Sequence, residues 1–232
     1  MINYFTIVAS SFLFVLGAIL PIVNPPAIAP IYWTLTSGAT NQVRKILAKK
    51  IAINVFIMVL VAIFLGNYVL SLFGISLAVV RVGGGLIVVV AAWKLLNAED
   101  PDTNIHKINT ETFTLEKARR SAFYPLTFPI SCGPGTIAAS ITVGASLQQN
   151  TQLNLTTSLS LFGTVLGVFA VALAVYFSLR FAVQFLHKLG QSGTVIFMRM
   201  SAFILLCIGV QIMWTGIHDL VLSLYSEALK LQ

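Results

Sequence analysis

The residues of this chain that could do chemistry sit in two proline-rich stretches set within otherwise apolar sequence. The first, Pro21-Ile22-Val23-Asn24-Pro25-Pro26-Ala27-Ile28-Ala29-Pro30, carries four prolines in ten residues. The second, Pro125-Leu126-Thr127-Phe128-Pro129-Ile130-Ser131-Cys132-Gly133-Pro134-Gly135-Thr136, follows at an offset of 108 positions that sets Pro21 on Pro129, Asn24 on Cys132, Pro25 on Gly133, Pro26 on Pro134 and Ala27 on Gly135. Seven of the eight prolines fall in these two stretches and the eighth, Pro101, between them. A proline inside a helix removes a backbone hydrogen bond and clashes with the preceding turn, so each stretch predicts a broken helix. The half-helix after such a break begins with N–H groups that have no intrahelical acceptor, and its dipole adds partial positive charge. That is binding chemistry for an anionic group such as a carboxylate. The substrate-binding candidates are Asn24, Pro25 and Ala27 in the first break and Cys132, Gly133, Gly135 and Thr136 in the second. Glycine lets backbone come close to a ligand, and Asn24 and Thr136 add side-chain hydrogen bonds.

Other chemistry is scarce. The expected spanning segments hold no Asp or Glu, and the three histidines, His106, His187 and His218, fall in a linker or at segment boundaries. A hydrolase built on Ser131 or Cys132 would need a base beside it, and none is visible, so no enzymatic activity is expected. Cys132 and Cys207 lack the spacing of a metal site or a disulfide framework, and no metal or cofactor is expected. Arg81 and Arg199 each lie about six residues, or roughly 9 Å, into an apolar segment and are gate candidates. With no acidic residue in the segments, backbone carbonyls at a break are their expected acceptors. Their length also allows them to snorkel to headgroups.

The elements that must position these residues are membrane helices. Of 232 residues, 57% are hydrophobic and only 9% charged, too few to solvate a globular surface. Six apolar segments are expected, near 4–36, 51–73, 77–96, 121–147, 158–180 and 193–217, the last followed by a mildly amphipathic tail. Residues 97–120 hold five of the seven acidic residues and read as a solvated linker between a first three-helix unit, 1–96, and a second, 121–232. If the six segments alternate, eleven Lys and Arg share the side of the one-two, three-four and five-six connections, against Lys230 alone opposite. That bias puts the basic connections in the cytoplasm and both termini outside. Three segments per half then make an inverted repeat, and matched broken helices in inverted halves are a pointer to a transporter's binding site. The excess positive charge of +7 faces lipid headgroups in this reading, and no nucleic-acid partner is expected. The small residues Gly83-Gly84-Gly85 and Gly163 with Gly167 suit close helix contact. Asn54, Asn67, Ser160 and Thr164 suit interhelical hydrogen bonds better than a ligand site, and Trp33, Trp93 and Trp214 suit interfaces.

Asn24-Pro25 after an apolar run, Phe73-Gly74-Ile75-Ser76 leading to Arg81-Val82-Gly83-Gly84-Gly85-Leu86-Ile87, and Pro125-Leu126 through to Gly133-Pro134-Gly135-Thr136-Ile137 together resemble the MarC family of prokaryotic integral membrane proteins. The resemblance covers nearly the whole chain. It implies a cytoplasmic-membrane location and transport of small neutral amino acids such as glycine and alanine. Two alternatives stand beside it. Asn24-Pro25-Pro26-Ala27 is similar to the Asn-Pro-Ala signature of aquaporins, which points to a channel, although here the break lies within a span. A membrane scaffold without flux is the other. The expected partners are a small neutral amino acid and the lipid bilayer, with a homo-oligomer left open.

Overall fold

A computed structural model describes residues 4–36, 38–97, 121–148 and 155–230. All regular structure among the described residues is helical: α1 Tyr4–Val23, α2 Pro25–Leu35, α3 Asn41–Leu72, α4 Leu77–Leu96, α5 Ala122–Ser131, α6 Pro134–Gln148, α7 Leu155–Arg180 and α8 Ala182–Lys230. Five helical stretches are long and apolar enough to cross a membrane, with α1 and α2 counting together as one; the bent pair α5–α6 makes a sixth. The charged linker expected at 97–120, apart from Asn97, and the residues between α6 and α7 lie outside the described residues.

The helices start and stop where side-chain chemistry dictates. Thr40 caps α3 by accepting from Val43 N at 3.3 Å, and Ser76 caps α4 by accepting from Val79 N at 3.3 Å. Gly74, at φ +66, makes the short turn between α3 and α4. At the other end of α3, Arg44 ties the α2–α3 connection together. Its Nη2 donates to Thr36 O at 3.0 Å, its guanidinium lies 4.1 Å from the Trp33 ring centroid, and its carbonyl accepts from Tyr32 Oη at 2.7 Å. Trp93 and Trp214 are largely exposed.

The amphipathic tail expected after Ile217 is instead the continuation of α8, which runs to Lys230 because nothing between the two positions breaks a helix. The interruption in α8 lies near its start, at Gly190, where φ is +65.

Packing follows the small residues. Val15, Ile19, Ile51, Val55, Val59, Val168, Val171 and Val175 form the centre of the core, which joins α1, α3 and α7. Gly163 and Gly167 seat α7 on α1, where an added Cβ would lie 2.5 Å from Val8 O and 2.8 Å from Val15 Cβ respectively. α4 and α8 run antiparallel, with Gly216 against Ala78, Gly85 against Met213 and Gly209 against Val89. Gly84 faces Ala138 of α6. The interhelical hydrogen bonds fall where the polar residues suggest: Asn54 Nδ2 donates to Thr127 Oγ1 at 3.2 Å, and Ser11 and Ser160 share a 2.8 Å bond between their hydroxyls.

The three consecutive glycines of α4 separate packing from propensity. A Cβ at Gly83 meets nothing within 4 Å, whereas one at Gly85 would lie 2.6 Å from Met213 N and 2.8 Å from Gly209 O. Gly83→Ala should therefore leave thermal unfolding in detergent unchanged or raise stability by up to about 1 kcal/mol through helix propensity. Gly85→Ala should lower it by about 1–3 kcal/mol through overpacking. Equal effects of the two would refute the close α4–α8 contact.

Candidate functional site

The two breaks differ in kind. In the first, the ten-residue stretch stays helical except at Asn24, which takes φ +45, a left-handed conformation that asparagine tolerates better than most residues. Pro25 and Pro26 then occupy the first positions of α2, where their missing N–H groups are not needed. Asn24 N still reaches Leu20 O at 2.9 Å, and Ala27 N reaches Asn24 O at 3.0 Å. The break is thus one residue wide rather than the longer unwinding that four prolines suggest. It also corrects the expectation of free donors here: the first two residues of α2 have no N–H and the third is bonded.

The second break is wider. α5 is wound in wide, five-residue turns, and Tyr124 and Phe128, each before a proline, take extended dihedrals. Both following peptide bonds, Tyr124–Pro125 and Phe128–Pro129, are cis. Hydroxyls add bonds one wide turn back: Thr127 Oγ1 donates to Ala122 O at 2.6 Å, and Ser131 Oγ donates to Leu126 O at 2.7 Å. Cys132 N closes the last wide turn onto Thr127 O at 2.7 Å. The α5–α6 pair bends by 68°. In α6 the first N–H to find its acceptor is that of Ile137, on Gly133 O at 3.1 Å. Those of Gly135 and Thr136 come before it, so the donors expected at a half-helix start belong to the second break.

A cavity of about 320 Å³ lies between the breaks, lined by Asn24, Ala27, Ser131, Gly133, Gly135 and Thr136 among apolar side chains from α1, α2, α4 and α8. Five of the seven predicted binding residues thus meet at one place. Pro25 is buried but is not on this wall. Cys132 also turns away: it is 1% exposed and joins the hydrophobic core. Gly135 lines the cavity, but its missing side chain accommodates Val88 of α4, and Gly84 O would lie 3.7 Å from a Cβ there. Its smallness therefore serves helix contact. Gly133 serves the turn, with Pro129 O 2.8 Å from a hypothetical Cβ. Ser131, at the wall of the same cavity, is the residue sequence reasoning passed over; its place on Leu126 O is a five-residue relation that only the wide turns reveal.

A second cavity, of about 300 Å³, lies on the other side of the first break, lined by Phe14, Gly17, Arg81, Thr142, Gln211 and Thr215 with further apolar residues. Ile22 lines both cavities. Arg81 was expected to have no acidic partner, and this is corrected: its Nη1 pairs with Asp219 Oδ2. The continued helix of α8 brings that carboxylate across. Arg199 is exposed and lines neither cavity.

Long apolar helices packed by small residues, with backbone breaks facing an internal cavity, define a multi-pass integral membrane protein of the helical class. The chain matches the pattern of the MarC family integral membrane protein over residues 9–221, and it belongs to that family. It is 28% identical over 208 residues, 89% of this chain and 93% of theirs, to the inner membrane proteins MarC of Escherichia coli strain K12 and of Shigella flexneri. No solved structure matches it.

The placement of Cys132 has a direct chemical consequence. In a Cys207→Ser protein the native Cys132 should react slowly with a membrane-permeant maleimide. A cysteine at the cavity-lining position, Ile130→Cys with both native cysteines replaced by serine, should react about ten times faster or more, because reaction requires access to the thiol. Equal rates would put Cys132 on an accessible wall.

Proposed function

We propose that this protein is a secondary carrier of small neutral amino acids of the glycine and alanine size, bound between the two breaks. The observation that carries the reading is the cavity shared by Asn24 and Thr136, at the low end of ligand-pocket volumes and mostly apolar with few polar groups. In this reading the substrate carboxylate meets the N–H groups of Gly135 and Thr136 at the start of α6, and the Asn24 amide and the Ser131 and Thr136 hydroxyl oxygens receive the ammonium. The substrate class follows the family resemblance. The reading invokes no catalysis.

The halves are read as inverted repeats in the inner membrane, with both termini outside. The helix contacts support the repeat itself, because exchanging the halves exchanges the pairings, and the inversion rests on the charge bias and the odd number of segments per half. α1 with α7 corresponds to α3 with α5, α2 with α7 corresponds to α3 with α6, α2 with α8 corresponds to α4 with α6, and α4 with α8 corresponds to itself. A carrier also needs the site closed to one side at a time. Ile22, the residue common to both cavities, is the natural partition between them.

Labelled glycine or alanine in proteoliposomes tests the reading. Uptake should saturate and show counterflow, and Ile22→Ala should raise unsaturable leak of the same solute severalfold by joining the cavities. A folded protein that moves neither amino acid would refute the substrate assignment. Osmotic water flux without saturable uptake would support the channel instead.

A further inference from the structure

The cavity between the breaks is roomier than glycine or alanine requires. Its volume of about 320 Å³ lies within the range of pockets that take drug-sized ligands, so bulk space alone does not exclude a long side chain. A preference for the smallest amino acids needs a wall close to the point where the ligand is held. In the carrier reading, on which this inference rests, that point is the pair of N–H groups of Gly135 and Thr136. A carboxylate bonded there puts the adjoining Cα, with whatever side chain it bears, beside the start of α6. Val88 of α4 stands at that place: it lines the cavity while being only 5% exposed. A Cβ at Gly135 would overlap Val88 Cγ2, so this methyl fills the space of the missing side chain and lies against the Gly135 backbone. The other methyl is held from α8, where a Cβ at Gly209 would lie 3.0 Å from Val88 Cγ1. A valine in a helix has one strongly preferred χ1 rotamer. With a glycine of a different helix against each methyl, Val88 has no room to turn aside. Further along α4 the wall loosens, with Leu95 half-buried and Ala91 exposed.

We infer that Val88 sets the side-chain limit of this site, admitting a hydrogen or a methyl on the ligand Cα and rejecting longer or branched side chains by overlap with a fixed group. The glycines at 135 and 209 then have a second effect besides close helix packing: they hold the limiting methyls in place. Val88 makes no hydrogen bond to a ligand, so its part is discrimination between amino acids that share the same carboxylate and ammonium contacts. One methylene against an apolar wall is worth about 10–200-fold in such discrimination.

Competition of unlabelled alanine, valine and leucine against labelled glycine, on the purified protein in detergent, tests it. Alanine should compete, and valine and leucine should compete poorly. Val88→Ala should strengthen valine relative to glycine by about tenfold or more. Adding Gly135→Ala to Val88→Ala puts a methyl back close to where Val88 Cγ2 stood, and should return most of the preference for small ligands; a merely loosened fold would not regain it. Leu95→Ala enlarges the same cavity about 10 Å further along α4 and should leave the ratio as it is in the unmodified protein. Should Val88→Ala fold poorly, Val88→Ile tests the wall from the other side, and should weaken alanine relative to glycine by about tenfold or more. Glycine binding with ratios unaltered in the Val88 variants would overturn the role of Val88. So would a gain for valine in Leu95→Ala as large as in Val88→Ala, which would make total volume the limit. The carrier reading would stand in both cases. No glycine binding by the unmodified protein would overturn both.

Discussion

Every backbone N–H and C=O inside a bilayer must find a partner within the protein, because hydrocarbon offers none. That constraint shapes both breaks. At the first it is met with the least possible disruption. One residue, Asn24, turns left-handed, and the prolines that follow it occupy positions where no N–H is needed. At the second it is met by the five-residue turns, to which the hydroxyls of Thr127 and Ser131 add bonds onto the carbonyls of Ala122 and Leu126. Among the described residues, the N–H groups at the start of α6 face the first cavity, and two buried side-chain donors, Nε of Arg44 and Nε of Arg81, are left without an acceptor.

The rest of the fold holds these places still. α4 carries Val88 to the wall of the first cavity and Arg81 to the second, so its position decides both. Glycines let α4 lie close to α6 and α8: Gly84 admits Ala138, Gly85 admits Met213, and Gly135 of α6 admits Val88. In a membrane, where lipid is as apolar as leucine, such close backbone contact supplies much of the attraction between helices. The same contact sets Asp219 beside Arg81.

Much of this was legible in the sequence because it depends on residue types with only one physical use in a helix. Proline marked both breaks, and glycine marked the contacts of α4 and α7. What was not legible depends on distance or direction. Arg81 and Asp219 are 138 positions apart, and a carboxylate just beyond an apolar run reads as solvated until α8 is seen to continue past it. The alignment of Asn24 with Cys132 carried no information about which way Cys132 points; the wide turns of α5 send it into the core and bring Ser131 to the cavity. Four prolines in the first stretch suggested a longer unwinding, because counting prolines ignores that those after Asn24 begin a new helix.

The central claim is that a small amino acid binds the folded protein between the breaks. Thermal unfolding of the purified protein across the twenty amino acids tests it most directly. A ligand that binds only the folded state at a hundred times its dissociation constant stabilises by about 2.7 kcal/mol. Glycine and alanine should raise the unfolding temperature, large and charged amino acids should not, and Asn24→Ala should reduce the rise. A flat response to all twenty, or one strongest for bulky side chains, would contradict the account.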